Sequence, residues 1–136
     1  MFTQPTLTLT HKAVLTMLEA AAACADQMGQ QQCIVIVDAS GETLGQLRMS
    51  GAKYLSLKSA RAKARTAASI GAASDAIPED FGPLIAAATQ GHVTRLGGGL
   101  PIMMDGHLVG GIGVGSGSAD QDKAVGTAAL AAIGSA

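Results

Sequence analysis

The chain has 136 residues, of which 48% are hydrophobic and 14% charged, and its formal net charge is −1. These totals predict one globular domain over residues 1–136. The small net charge excludes a global field that would attract nucleic acid. No apolar run reaches transmembrane length, and the N-terminus lacks the basic start and apolar centre of a signal peptide. We therefore expect a cytoplasmic protein that binds neither nucleic acid nor membrane.

The composition is rich in small residues and poor in aromatic residues. Glycine contributes 18 residues, and the aromatic side chains are those of Phe2, Tyr54 and Phe81. Small side chains let backbones pack closely but bury little apolar area each, so a homo-oligomer that buries further surface between subunits is expected. Cys24 and Cys33 lie in apolar surroundings without a CxxC pattern, which predicts free thiols in a reducing compartment.

The first half of the chain predicts a helix, a hairpin and a second helix. Apolar residues recur at helical spacing over residues 10–28, and Gly29 suits the position after a helix end. The β-branched run at residues 33–38 predicts a buried strand, and residues 43–49 a return strand. An alanine-rich helix is predicted over residues 53–69.

The second half begins with an irregular connection and continues as a second hairpin. Residues 71–91 contain Pro and Gly breaks with short helical potential at 84–89, and long connections of this kind are often binding loops. Apolar runs at 100–104 and 107–114 flank Asp105-Gly106, a dipeptide that favours a tight type I′ turn. These segments predict an antiparallel sheet built from two hairpins.

A last helix is predicted from Ser118 to about Ile133. Ser118 and Gln121 form a capping-box pattern, and the predicted inner face consists of Val125, Ala128, Ala129 and Ala132. Helices that follow each hairpin, rather than alternating with parallel strands, predict an α+β fold with helices packed on the antiparallel sheet.

The glycines before the last helix do not form a dinucleotide fingerprint. They lie at Gly111, Gly113, Gly115 and Gly117, a spacing of two, whereas that fingerprint requires G-x-G-x-x-G inside a βαβ unit. Acidic residues also occupy the first turn of the helix, where they interact favourably with the helix dipole and would repel a phosphate. Tight packing is the better interpretation of this run.

The second helix holds five of the nine basic residues. Lys58, Arg61 and Arg65 fall on one stripe, which predicts a solvated face or pairing with acidic groups of a neighbouring subunit. Lys63 points about 140° away from Lys58 by the same helical arithmetic. Its neighbours are small, so it is expected to lean inward or cover a cleft, either as a snorkelling lysine or as a contact for an anionic ligand.

Three stretches together resemble the GlcG/HbpS family of haem-binding proteins, whose domain also forms the C-terminal part of PduO-type proteins. They are VDASGETLGQLRMSGA, KSARAKARTAA and RLGGGLPIMMDGHLVGGIGVGSGSADQD. The resemblance covers roughly residues 7–133 and departs from the usual pattern at Ser50 and Leu96, where the family commonly has Asp and Phe. It implies a compact α+β fold with an antiparallel sheet, an oligomer and, for some members, bound haem.

The first functional hypothesis is therefore a small-ligand-binding protein, with haem or a related tetrapyrrole as the named ligand. Haem requires an axial ligand, for which His11, His92 and His107 are candidates. His92 is preferred because it lies beside the irregular connection and the glycine segment. The basic residues that would pair with haem propionates are Lys63, Arg61 and Arg95.

Two other hypotheses remain. One is a cofactor-free enzyme or binder for a small carboxylate or enolisable carbonyl compound, with Lys63 as acid, base or electrostatic stabiliser and Asp38 as its partner or as a turn residue. The other is an oligomeric accessory protein without a ligand. The predicted ligand-binding set is Lys63, Thr66, Arg95, Gly97, Gly98, Gly99 and Pro101, with His92 as the possible haem ligand.

Overall fold

A computed structural model describes residues 1–135 as one sheet with helices on both faces. The elements in chain order are α1 (His11–Met28), β1 (Cys33–Asp38), β2 (Thr43–Arg48), α2 (Ser56–Ile70), a 3₁₀ turn (Ser74–Ala76), α3 (Gly82–Ala88), β3 (Gly99–Met104), β4 (His107–Gly115) and α4 (Ala119–Ala132).

The four strands form one antiparallel sheet in the order β2-β1-β4-β3. Each hairpin supplies one outer and one central strand, and β1 pairs with β4 in the middle. Helices α1 and α4 cover one face of the sheet, and α2 covers the other. The predicted α+β fold, with two hairpins in an antiparallel sheet and helices packed on it, is confirmed. No helix within residues 1–135 has the length and apolarity needed to cross a membrane.

Strand β1 is apolar on both sides because both of its faces are covered. Ile34 and Ile36 pack in the layer of α1 and α4, whereas Cys33, Val35 and Val37 pack against α2. All five are fully buried, and the continuous apolar run follows from burial on two faces. Burial also raises the pKa of the Cys33 thiol, as expected for a structural rather than a reactive cysteine.

Local signals place most helix ends. The Thr10 hydroxyl accepts a hydrogen bond from the Ala13 amide at the start of α1, and Gly29 ends the helix with φ of 70°. The capping box at Ser118 and Gln121 is present at the start of α4. Helix α2 begins later than predicted, because residues 53–55 form a turn that precedes it.

The predicted inner face of α4 is partly wrong. Val125 and Ala129 are fully buried as expected, but Ala132 is exposed and Ala128 is only partly buried. The buried face also includes Asp122, Gly126 and Leu130. The helix is turned this way because Gly126 lets Leu100 of β3 approach closely, so that an added Cβ would lie 3.1 Å from Leu100 Cδ1.

Helix α2 touches the sheet with its backbone. A Cβ at Gly113 would overlap the carbonyl oxygen of Ala60, and a Cβ at Gly111 would overlap that of Ala64. Both alanines are fully buried. The glycines of β4 are therefore required by close packing, as their spacing predicted, because every second residue of a strand points to the same face.

We expect Gly113→Ala to destabilise the fold by about 3 kcal/mol, because neither the strand nor the helix can move without disturbing its neighbours. Gly134→Ala is the control: Gly134 has φ of 70° but nothing within 4 Å of an added Cβ, so we expect a loss of about 1 kcal/mol. Urea denaturation measures both values. Equal losses in the two variants would contradict the backbone contact.

Candidate functional site

The Lys63 ammonium forms a buried ion pair. Lys63 is 5% exposed and Asp122 is 2% exposed, and Lys63 Nζ lies 3.0 Å from Asp122 Oδ2. Lys63 Nζ also donates to the carbonyl oxygen of Val114 at 2.8 Å. The other carboxylate oxygen of Asp122 accepts from the Gly117 amide at 3.1 Å. The pair thus ties α2 to the end of β4 and the first turn of α4.

The prediction that Lys63 leans inward is confirmed, but its partner is not Asp38. The Asp38 carboxylate accepts from the backbone amides of Ser40 at 2.8 Å and Glu42 at 3.1 Å. Asp38 therefore serves the turn between β1 and β2, which was the alternative interpretation of this residue. Asp122 is one of the acidic residues predicted to favour the dipole of the last helix, and its position in the first turn of α4 gives no sign of a partner on α2.

The glycine segment before β3 lies directly against Lys63. A Cβ at Gly98 would lie 3.1 Å from Lys63 Nζ, and a Cβ at Gly99 would overlap the Lys63 carbonyl oxygen. Gly97 is closed in by Asp75 and Lys123, and Pro101 lies half-buried within β3. The structure brings Gly98 and Gly99 against Lys63, whereas Gly97 contacts Asp75 and Lys123. Ligand contact by this set stays a prediction.

Thr66 and Arg95 hold the chain that leads into β3. The buried Thr66 hydroxyl donates to the Ala62 carbonyl at 2.7 Å and accepts from the Thr94 amide at 2.9 Å. Arg95 Nε donates to the Ile77 carbonyl at 2.8 Å, and its side chain packs on Gly82. These two residues fix the segment 91–96 across α2. Other residues of that segment line two cavities on the outer side of the helix.

The first cavity, which we call the α2 groove, has a volume of about 350 Å³ and lies between α2, α3 and residues 91–96. Its lining is mainly apolar, with Lys58 as its charged residue. The lining residues are Leu55, Lys58, Ser59, Ala62, Ala86, Gly91, Val93, Thr94 and Leu96.

The second cavity, which we call the hairpin cavity, has a volume of about 370 Å³ and lies at the turn between β1 and β2. Val93 separates it from the α2 groove. The polar and charged side chains that line it are those of Ser40, Glu42, Arg65, Ser69 and His92. Arg65 Nε donates to the Gly41 carbonyl at 3.1 Å. The predicted solvated stripe is therefore partly engaged by the β1–β2 hairpin.

The three histidines differ in their surroundings. His11 is exposed at the start of α1. His107 is exposed on β4, with Nδ1 at 2.9 Å from the Asp105 carbonyl oxygen, and borders a smaller cavity of about 150 Å³. His92 is exposed and lines the hairpin cavity beside the α2 groove. Of the three histidines, only His92 lies beside the α2 groove, whose lining includes its chain neighbours Gly91 and Val93.

Comparison with known proteins identifies the family. Residues 9–131 match the family described as haem degrading protein HbpS-like. The chain therefore belongs to the HbpS-like family, and the resemblance carried by the three sequence stretches is confirmed.

Sequence relatives include parts of longer proteins. The corrinoid adenosyltransferase PduO of Citrobacter freundii is 31% identical over 135 residues, which is 96% of this chain and 40% of that protein. PduO of Salmonella typhimurium is 34% identical, and the match covers 34% of its length. The chain thus spans about two fifths or less of these relatives. An uncharacterized 15.0 kDa protein of C. freundii, from the dhaT-dhaS intergenic region, is 29% identical, with 93% of each chain covered.

Solved structures of similar chains share the whole fold. PduOC, solved as a complex with haem, has a TM-score of 0.89 and 30% identity, with 96% of this chain and 98% of that chain covered. HbpS has a TM-score of 0.86 and 31% identity, with 97% and 94% covered. The Klebsiella pneumoniae protein ORFY has a TM-score of 0.93 and 26% identity, with 98% and 95% covered.

We expect Lys63→Met to lower the free energy of unfolding by about 3–5 kcal/mol, because it leaves the Asp122 carboxylate buried and unpaired. The double variant Lys63→Met/Asp122→Asn should recover part of this loss, since the amide oxygen still accepts from Gly117 without a charge. Lys58→Met, on the exposed side of α2, should change stability by no more than about 0.5 kcal/mol. Chemical denaturation tests the set, and a similar small effect for both single variants would rule out a stabilising ion pair.

Proposed function

We propose that this protein binds haem or a related tetrapyrrole on the outer side of α2. The observation that carries the proposal is an apolar groove with a histidine next to it. The α2 groove supplies Leu55, Ala62 and Leu96 as apolar contacts for a macrocycle, and His92 borders the adjoining cavity. Membership of the HbpS-like family and the similarity to PduOC, which was solved with haem, support this proposal.

The residues at the α2 groove provide the types of contact that haem uses. A bound porphyrin uses an apolar wall, a cation near its propionate edge and a ligand for iron. Lys58 is exposed at the groove and has no acidic partner within residues 1–135, so it would pair with a propionate. His92 makes no side-chain hydrogen bond in the same part of the chain, which leaves its imidazole free to act as an axial ligand.

Haem, when bound, would supply the chemistry of its iron, and the residues of the groove would form its environment. Leu55, Ala62 and Leu96 would exclude water from one side of the macrocycle, and Lys58 would orient its charged edge. This assignment replaces Lys63, Arg61 and Arg95 as propionate partners. Lys63 is paired with Asp122, and Arg95 Nε donates to Ile77. Arg61 donates to Gln46 on β2. A reaction at Lys63 would first require the buried ion pair to open, so the groove is the better supported site.

We also propose a homo-oligomer, as the composition predicted. Leu55, Leu84 and Leu96 are 63%, 65% and 57% exposed; they lie in the turn before α2, on α3 and in the segment before β3. Contact with a second subunit would remove these side chains from water and cover a haem held in an open groove. A cytoplasmic location stays a prediction.

Titration of the purified protein with hemin tests the function. We expect a saturable, shifted Soret band at one haem per chain or fewer, and we expect His92→Ala to change its position and weaken binding by at least about tenfold. Ala62→Phe should abolish saturable binding because the added ring fills the groove. His11→Ala and His107→Ala are matched controls that should leave the band unchanged.

The possible outcomes test haem binding and the location of the site separately. A saturable band that survives His92→Ala but not Ala62→Phe would keep the groove and discard His92 as the axial ligand. A band lost in His107→Ala instead would move the site to β4. The absence of a saturable shift in the wild-type protein would overturn haem binding.

A further inference from the structure

The hairpin cavity holds two opposite charges that do not pair with each other. Glu42 and Arg65 both line it, yet the ion pairs found within residues 1–135 are Lys63–Asp122 and Lys123–Asp75. The nitrogen and oxygen atoms of Glu42 and Arg65 therefore lie beyond salt-bridge distance, with the cavity between them. An empty space bounded by one anion and one cation is complementary to a ligand that carries both charges.

The arginine is held in a fixed direction. Arg65 Nε donates to the Gly41 carbonyl oxygen at 3.1 Å, and the side chain is only partly exposed. Its two terminal nitrogens have no acceptor among residues 1–135. A guanidinium fixed through Nε presents its remaining N–H groups as a fork, which matches the two oxygens of a carboxylate.

The nearby Asp38 does not neutralise this arginine. Its Oδ1 atom accepts from the amides of Ser40 and Glu42 and so stabilises the hairpin turn. The other polar groups of the cavity are also unengaged: neither the Ser69 hydroxyl nor the His92 ring forms a hydrogen bond within the described chain. The Ser69 hydroxyl is available as a donor or acceptor for a ligand, and the zwitterion site makes no use of His92.

We propose that the hairpin cavity binds a small zwitterion of the amino-acid class. Its carboxylate would bind Arg65, and its ammonium group would bind Glu42. The volume of about 370 Å³ lies at the lower end of the range for small-molecule sites, which suits a ligand of this size. Val93 and Ala39 provide an apolar wall for the side chain of the ligand. The proposal does not rest on haem binding, because its charged anchors lie outside the α2 groove.

Three probes of one shape test the charge complementarity by isothermal titration calorimetry. L-leucine carries both charges, 4-methylpentanoate lacks the ammonium group, and 3-methylbutylamine lacks the carboxylate. We expect saturable binding of leucine and at least about tenfold weaker binding of each single-charge analogue, because each forgoes one charged contact.

Matched variants assign the contacts. Arg65→Gln should weaken leucine and 4-methylpentanoate together, and Glu42→Gln should weaken leucine while leaving 4-methylpentanoate unchanged. Arg61→Gln is the control, since Arg61 lies one turn earlier on α2 and donates to Gln46 on β2. Equal affinity for leucine and 4-methylpentanoate, or leucine binding that survives Arg65→Gln, would overturn the zwitterion site. So would the absence of leucine binding, whatever the hemin titration shows.

Discussion

The backbone contact between α2 and β4 is the constraint on which the rest of the structure depends. Gly111 and Gly113 have no side chains to hold the helix away, so the carbonyls of Ala60 and Ala64 lie on the strand itself. A helix placed this close leaves no space for a ligand beneath it. Its chemistry is therefore confined to its two flanks and its outer face, where the α2 groove and the hairpin cavity are found.

The Lys63–Asp122 pair fixes the same helix along its axis. A buried ion pair adds little net stability compared with apolar residues of similar size, because both charges lose their hydration. It is, however, directional: Lys63 must meet both the Val114 carbonyl and the Asp122 carboxylate. These contacts join α2, β4 and α4 at one point and set where the glycine segment enters β3. The inward direction of Lys63 thus follows from these contacts, and ligand contact by this lysine stays a prediction.

Much of the fold could be predicted because its signals are local. The Asp105-Gly106 turn has φ values of 52° and 76°, and Gly29 ends α1 in a left-handed conformation. Each of these features can be predicted from two or three neighbouring residues. Helical periodicity likewise showed that Lys63 points inward. Its partner could not be found this way, because Asp122 is 59 positions further along the chain and many acidic residues were equally plausible.

The cavities escaped prediction for the same reason. Their common wall, Val93, is held in place by the hydrogen bond from the Thr94 amide to the Thr66 hydroxyl, two residues that are 28 positions apart in the chain. No pattern in residues 91–96 predicts this contact. Arg65 was accordingly assigned to a solvated stripe, although its Nε is held by the hairpin turn. Composition showed which residue types were available, but only tertiary contact showed which of them share a cavity.

The shared wall also bears on whether the two cavities act together. Val93 borders both of them, and hydrogen bonds hold it on either side: its own amide donates to Thr89 at 3.0 Å, and the Thr94 amide donates to Thr66 at 2.9 Å. Coupling between two ligands requires a difference in contacts between two states. With both bonds intact this wall keeps one position, so coupling through Val93 would arise only if a ligand broke one of them. His92 offers a second route, because it lines the hairpin cavity and its ring would leave that cavity if it turned towards iron in the α2 groove.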